Sequence, residues 1–307
     1  MRMETSIPLA GPSTAFSELA TAMGGELRRH CYRMMGGIQD AEDCVQETLL
    51  RGWREFSSLR DERTGRSWLY SIATRVCLDA LRTRRRRQTL FGPSLDEIEP
   101  GTEPWIEPWP GGNPESGPER GRDIRLAFVS LLHGLSPRAR AVLLLHDLVG
   151  MTAAEAAEAL GISVAAARSA LQRARTALPL PQATPAGDAP IEAYVDAWNA
   201  GDVDALIGLM HRDIVMTMPP WRRTFTGREE VARFMIGVWP RYDGFRAVAV
   251  IANDQPAAAV YACRDGQPYR PHSLHVLAGG GQVSDMVLYA PPLGASLIAA
   301  FGLPPML

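Results

Sequence analysis

Residues 91–118 read FGPSLDEIEPGTEPWIEPWPGGNPESGP, with seven prolines, five glycines and six acids. Such a run cannot sustain a helix or a strand: proline lacks the backbone donor, glycine costs entropy, and the acids bring too little apolar surface to bury. Whatever folds must fold on either side of it. A second break, PLPQATPAGDAP at 179–190, is shorter and carries one charge, Asp188. The chain is therefore predicted as three blocks, 1–90, 119–178 and 189–307, joined by linkers at 91–118 and 179–188.

Composition supports folded blocks. At 307 residues, 46% hydrophobic and 21% charged, the chain is globular and long enough for more than one core. A net charge of -2 hides an uneven distribution. Residues 26–88 hold 14 Arg against 9 acids and residues 119–178 hold 8 against 5, whereas residues 188–307 hold 9 against 12. Two basic blocks precede an acidic one. The four cysteines, Cys31, Cys44, Cys77 and Cys263, show no CxxC or Cys/His ligand spacing, so neither a disulfide framework nor a metal site is expected, and a reducing cytoplasm suits them. No membrane span or signal peptide is expected.

Block one reads as helices: a segment near 16–36, DAEDCVQETLLRGW at 40–53, and RSWLYSIATRVCLDALRTRRRR at 66–87. In the second, Ala41, Cys44, Val45, Thr48, Leu49, Gly52 and Trp53 form the apolar stripe. The outward face holds Asp43, Gln46, Glu47 and Arg54 with Leu50 among them, more than a merely solvated face needs. In the third, Trp68, Leu69, Ile72, Val76, Leu78 and Leu81 are predicted inside. Tyr70, Ser71, Arg75 and Arg84, Arg85, Arg86 and Arg87 are left for water or a polyanion; a solvated helix end competes with nucleic acid as the reading of that run.

Block two divides into a helix begun at Ser136 with Pro137 in its first turn, a short helix over 152–160, a turn at Gly161 and a helix over 163–178. Two short helices across a glycine turn, the second rich in Arg, make a helix-turn-helix pattern. With Val164, Ala167, Leu171 and Ala174 inward, Ser163, Arg168, Gln172 and Arg175 point outward, and Arg and Gln suit guanine and adenine edges. A plain three-helix bundle is the competing reading.

Block three changes period. Two amphipathic helices and a third in GREEVARFMIGVW precede strand-like runs at 245–252, 257–264, 271–278 and 282–289, which predicts an α+β domain with helices over an antiparallel sheet. Polar and aromatic residues able to face a pocket are Trp198, Trp221, Tyr261, His272, His275, Asp285 and Tyr289. His272 and His275 fall on opposite faces of one strand, and a buried, hydrogen-bonded histidine is the commoner explanation of either. There is no Walker loop, HExxH, GxSxG or Ser/His/Asp spacing, so no enzyme, cofactor or metal is expected.

HCYRMMGGIQDAEDCVQETLLRGW with SWLYSIATRVCLDALRTRRRR resembles region 2 of bacterial extracytoplasmic-function sigma factors. LSPRARAVLLLHDLVGMTAAEAAEALGISVAAARSALQRAR resembles their region 4, and block three resembles the SnoaL-like domain, of nuclear-transport-factor-2-like fold, carried by a subgroup. The resemblance implies a multidomain chain: all-α region 2, all-α helix-turn-helix region 4, and a cone-shaped α+β domain. It implies that Asp43, Gln46, Glu47, Leu50 and Arg54 dock on core RNA polymerase at the β′ clamp helices, with region 4 on the β flap. Tyr70, Ser71, Arg75 and Arg84–Arg87 would hold −10 bases and phosphates, and Arg168, Gln172 and Arg175 the −35 groove. The acidic linker would run toward the polymerase active-site channel. The C-terminal domain would regulate initiation in cis, through packing, a small ligand or a regulatory protein. Alternatively, it is a binding or catalytic domain for which the helical blocks are scaffold; Asp285, the one acid on its strand, would then be the general base.

Overall fold

The computed structural model describes residues 12–59, 61, 64–91, 105–111, 125–177, 189–221 and 223–307. Their packing forms two compact units, one of residues 1–100 with 129–179, the other of residues 101–128 with 180–307. The division departs from three independent blocks. The two basic blocks share one unit, and residues 105–111 of the Pro-rich stretch belong with the C-terminal one.

The first unit is helical: α1 (Pro12–Met35), α2 (Ile38–Glu55), α3 (Gly65–Phe91), α4 (Leu126–His133), α5 (Pro137–Leu143), α6 (Ala153–Leu160) and α7 (Val164–Ala177). The division between the units falls within α4. Helices α1, α2 and α3 pack on one another, and α3 also meets α5 and α6. Gly52 permits the close approach of α2: a Cβ there would stand 3.0 Å from both Leu69 and Phe16 side chains. Cys31, Cys44 and Cys77, one from each of the three helices, are buried free thiols.

Local chemistry explains the boundaries in block two. Ser136 caps α5, accepting from Ala139 N, with Pro137 in the first turn. Thr152 and Glu155 form a reciprocal capping box on α6, and Gly161 ends it at φ 61 in the left-handed region. Between α5 and α6, Leu144–Leu148 widen into a π turn.

The second unit places α8 (Ile191–Ala200), α9 (Val203–Gly208) and α10 (Arg228–Val238) against a six-stranded sheet. Its strands are β1 (Met210–Thr217), β2 (Thr224–Thr226), β3 (Gly244–Ala252), β4 (Gln255–Cys263), β5 (Arg270–Ala278) and β6 (Val283–Tyr289), in the order β2-β1-β6-β5-β4-β3. All pairs are antiparallel except β1 with β6, a correction to a wholly antiparallel sheet. One face buries Ala258, Val260, Leu277, Met286 and Leu288 with Tyr194, Trp198, Phe245 and Met235. A final helix, α11 (Leu293–Ala300), packs on β5.

Residues 105–111 lie on this same unit. Trp109 N donates to Asn253 Oδ1 at 2.7 Å, Asn253 N to Trp109 O at 2.9 Å, and Gly111 N to Ile251 O at 2.7 Å. Tyr289 Oη donates to Ile106 O at 2.7 Å, and Ile106 is buried. A peptide fixed by backbone bonds at the β3–β4 turn is an ordered strap, against the expectation of unstructured linker throughout; residues 92–104 and 112–124 lie outside the described residues.

Candidate functional site

On α2 the outward face is as predicted in composition and broader in apolar area. Asp43, Gln46 and Arg54 are exposed and Glu47 is half-buried. Leu50 is 51% exposed and Trp53 is 61% exposed. Trp53 is thus a correction: it leaves the buried stripe and joins Leu50 on the surface. Gln39 holds Asp43 at 3.1 Å and Arg51 pairs with Glu47 at 2.7 Å, so two of the acids are pre-oriented by the turn before or after them. A leucine and a tryptophan inside a polar rim have the composition of a protein-docking hot spot.

Two residues expected to meet DNA are internal. Tyr70 is 6% exposed; its hydroxyl donates to Glu26 Oε2 at 3.0 Å and its ring packs edge-on against His30 of α1. Burial raises its phenol to about 12. Ser71 is 9% exposed and donates to Ser67 O at 2.9 Å. Neither offers a face to an unstacked base, because α3 is covered on more than one side. Arg75 is exposed, and Arg84 pairs with Asp40 of α2 at 3.1 Å. Arg85, Arg86 and Arg87 continue α3, and their side chains lie outside the described residues.

On α7, Ala167, Ala170, Leu171 and Ala174 are buried, while Val164 is 37% exposed instead of inward. Ser163 caps the helix, accepting from Ala166 N at 3.1 Å. Arg168 and Gln172 stand exposed one turn apart. Arg175 is tied to Asp147 of the π turn at 2.5 Å. The capped, cationic first turns of α7 suit an anionic ligand, with phosphate favoured at the helix N-terminus.

In the second unit the candidate pocket residues separate. Trp198, His272 and His275 come together; Trp221, Tyr261, Asp285 and Tyr289 do not. Trp221 is 56% exposed. Tyr261 donates to Pro304 O at 2.9 Å and Tyr289 to Ile106 O, both on the sheet face opposite His275. Asp285 is exposed and accepts from its neighbour Ser284, which removes it from any role as a pocket base.

What assembles instead is a relay. Tyr194 Oη and His275 Nδ1 are 2.7 Å apart, His275 Nε2 and Ser273 Oγ 2.8 Å, Ser273 Oγ and His272 Nδ1 3.1 Å, and His272 Nε2 and Tyr242 Oη 3.0 Å. A bulge makes this geometry: Val260 faces Ser273 whereas Tyr261 faces Pro271, so His272 is the extra residue and turns to the same side as Ser273. Burial holds His275 at about 3 and His272 at about 4, the latter with help from the Arg264 charge. Both rings are neutral at pH 7, and every bond in the chain can then be ordered from Tyr194 to Tyr242 or the reverse. Trp198 stacks on Trp239 at 4.8 Å and meets the His275 ring at 5.4 Å. Tyr194, Tyr242 and Ser273 are not among the predicted site residues; alternation alone puts Ser273 beside His275, whereas the bulge adds His272 and with it Tyr242, and an alternating strand pattern does not reveal a bulge.

Among the described residues no group of His, Cys, Asp and Glu is placed to hold a metal ion, and no helix is long and apolar enough to cross a membrane.

Residues 19–87 match sigma-70 region 2, residues 125–178 match sigma-70 region 4, and residues 191–284 match the SnoaL-like domain. Two sigma regions in this order, the first carrying the α2 face and the second the helix-turn-helix of α6 and α7, define a promoter-specific transcription initiation factor with an appended SnoaL-like domain. The chain belongs to the extracytoplasmic-function (ECF) RNA polymerase sigma factors. It is 38% identical over 304 residues to ECF RNA polymerase sigma factor SigG of Mycobacterium tuberculosis, an alignment covering 91% of this chain and 81% of that one. To SigJ of the same organism it is 34% identical over 235 residues, covering 70% and 72%. The crystal structure of M. tuberculosis SigJ superposes with a TM-score of 0.65 at 28% identity, covering 94% of this chain and 99% of that one.

Proposed function

We propose that this factor docks on core RNA polymerase through the outer face of α2 and engages promoter DNA through α3 and α7, with the C-terminal unit restraining it in cis. The observation that carries the reading is the exposure of Leu50 and Trp53 at 51% and 61% between Asp43, Gln46, Glu47 and Arg54. Isolated apolar residues are normal on a surface, but a tryptophan beside a leucine within a charged rim is an anchor in search of a pocket. Arg75, Arg84 and the Arg85–Arg87 run supply phosphate contacts, and Ser163, Arg168, Gln172 and Arg175 the upstream contacts, with Arg175 first released from Asp147. Tyr70 and Ser71 support α3 from inside.

Run-off transcription with core polymerase and a genomic library tests the reading and reports the promoter. Trp53→Ala and Leu50→Ala are each expected to weaken polymerase binding about tenfold, near 1–2 kcal/mol, with an unchanged melting temperature. Unchanged affinity in both would remove α2 as the dock. Comparing the full chain with residues 1–188 tests restraint in cis: equal transcription by both would exclude it.

The second reading makes the C-terminal unit a small-molecule receptor or catalyst, and the Tyr194–His275–Ser273–His272–Tyr242 relay favours it. Chemical-shift changes at these five residues on titration with a metabolite library, absent from His275→Phe, would support it.

A further inference from the structure

Cys31 of α1, Cys44 of α2 and Cys77 of α3 meet in the interior of the first unit, and Cys77 is hydrogen-bonded to both of the others. Contacts on either side place Cys44 opposite Cys77. Asp40 in the first turn of α2 pairs with Arg84 in the second half of α3 at 3.1 Å, and Gly52 near the end of α2 closely approaches Leu69 near the start of α3. The two helices are therefore antiparallel. Cys44, eight residues before Gly52, faces Cys77, eight residues after Leu69. The three thiols are not placed to hold one metal ion.

A buried thiol is by default an inert small hydrophobe. Two further observations set Cys44 and Cys77 apart from that default. The hydrogen bond from Cys77 favours the Cys44 thiolate and lowers that thiol against burial and the charges of Asp40 and Asp43. Its bonds to Cys31 and Cys44, together with burial, push the Cys77 thiol up. Cys44 is also the one of the three that is not wholly covered, at 3% exposed against 0% for Cys31 and Cys77. One sulfur is thus prepared to attack, and its neighbour keeps the proton that a departing hydroxide needs.

We propose that a hydroperoxide oxidises Cys44 and Cys77 to a disulfide between α2 and α3, and that this bond weakens polymerase docking on the outer face of α2, the second half resting on the reading above. The Cys44 thiolate attacks one peroxide oxygen and expels hydroxide, which takes up a proton to leave as water, and Cys44 becomes a sulfenic acid. The Cys77 sulfur then attacks the Cys44 sulfur, and the Cys77 proton departs with the hydroxyl as a second water. Two thiols lose two electrons and the peroxide gains them. A disulfide needs its sulfurs about 2 Å apart, closer than a hydrogen-bonded thiol pair, so α2 is drawn toward α3 at Cys44. A close-packed interior transmits such a shift instead of absorbing it, and Leu50 lies only six residues further along the same helix. Disulfides in a reducing compartment are transient and report oxidants.

The full chain carrying Cys263→Ala, which leaves the three clustered thiols in place, is treated with hydrogen peroxide, mapped by mass spectrometry and titrated with core polymerase. A cross-linked peptide pair containing Cys44 and Cys77 is expected, with polymerase affinity lowered about tenfold and restored by dithiothreitol. Adding Cys44→Ala should abolish the response to peroxide. Absence of the Cys44–Cys77 pair, or a Cys31–Cys77 pair in its place, would overturn the assignment. A disulfide that leaves affinity unchanged, or a loss that dithiothreitol does not restore, would overturn the switch. Should Cys44→Ala lose helicity, the peptide map and the dithiothreitol reversal of its parent carry the decision. If the reduced chain binds no polymerase at all, the docking reading falls instead, and the peptide map still decides the disulfide.

Discussion

At the level of single residues, Gly294 leaves no room for a side chain. A Cβ built on it runs into Tyr289 O, and it stands 2.6 Å from Ser273 Cα and 2.9 Å from His272 O. All three are backbone atoms at or beside the bulge that forms the relay, and backbone cannot swing aside as a side chain can. Gly294→Ala is expected to destabilise the unit by about 1–3 kcal/mol, read as a lowered urea midpoint with an unchanged m-value. It should also displace the His272 and His275 ring signals; a variant as stable as wild type would mean α11 sits farther from β5. Trp53 shows that the buried stripe of α2 is narrower than its apolar residues suggest. Successive helical residues are about 100° apart, so Trp53, next to the buried Gly52, lies at the margin of the arc centred on Ala41, Cys44, Thr48 and Gly52. Its apolar character placed it inside; its angle places it outside.

Among elements, those with terminal chemistry were the most legible. Ser136 with Pro137 and Gly161 mark the start of α5 and the turn after α6 in the sequence, because each supplies a hydrogen bond or a backbone angle that few other residues can; the Thr152–Glu155 box that starts α6 is of the same kind and emerges in the structure. The α6 box can be tested directly. Thr152→Ala removes the acceptor for Glu155 N and one of two Thr152 donors to Glu155. It should cost about 1 kcal/mol in the denaturant unfolding of the first unit, and Thr152→Ser should restore most of it. Less legible were β1, β2, α4 and α11. MHRDIVMT and LGASLIAA are short, and the second is apolar on every side, so no period separates helix from strand. The inner face of α3 departs from its sequence pattern for a related reason. An amphipathic reading assumes one covered side, whereas α3 packs on α1, α2, α5 and α6, and that hides Tyr70 and Ser71. The composition of residues 91–118 predicts a linker, but nothing in Trp109-Pro110-Gly111 states that its own backbone bonds to the β3–β4 turn.

For the molecule as a whole, buried neutral histidines set the response to acid. His30 and His133 in the first unit and His275 in the second are each held at about 3, and His272 at about 4, chiefly by burial. Their folded values lie below the unfolded value of 6.5, so the unfolded chain takes up protons first. Stability is complete above about pH 6.5 and is lost as pH falls through the window between 6.5 and 3–4. Each such group contributes up to about 1.4 kcal/mol per pH unit within that window. The melting temperature of the full chain should therefore fall between pH 7 and pH 5, and His275→Gln should flatten the fall in the C-terminal transition. A melting temperature independent of pH over this range would show that the rings are protonated or accessible.

Cys31, Cys44 and Cys77 lie in the interior of the first unit and Cys263 is half-buried in the second. A buried thiol reacts with alkylating reagents only during the moments when its surroundings part. The chain consequently carries its own stopwatch: the slow reactions time the breathing of the α1–α2–α3 bundle against the faster one at Cys263. Adding core polymerase would show by those rates alone whether docking slackens or tightens that bundle.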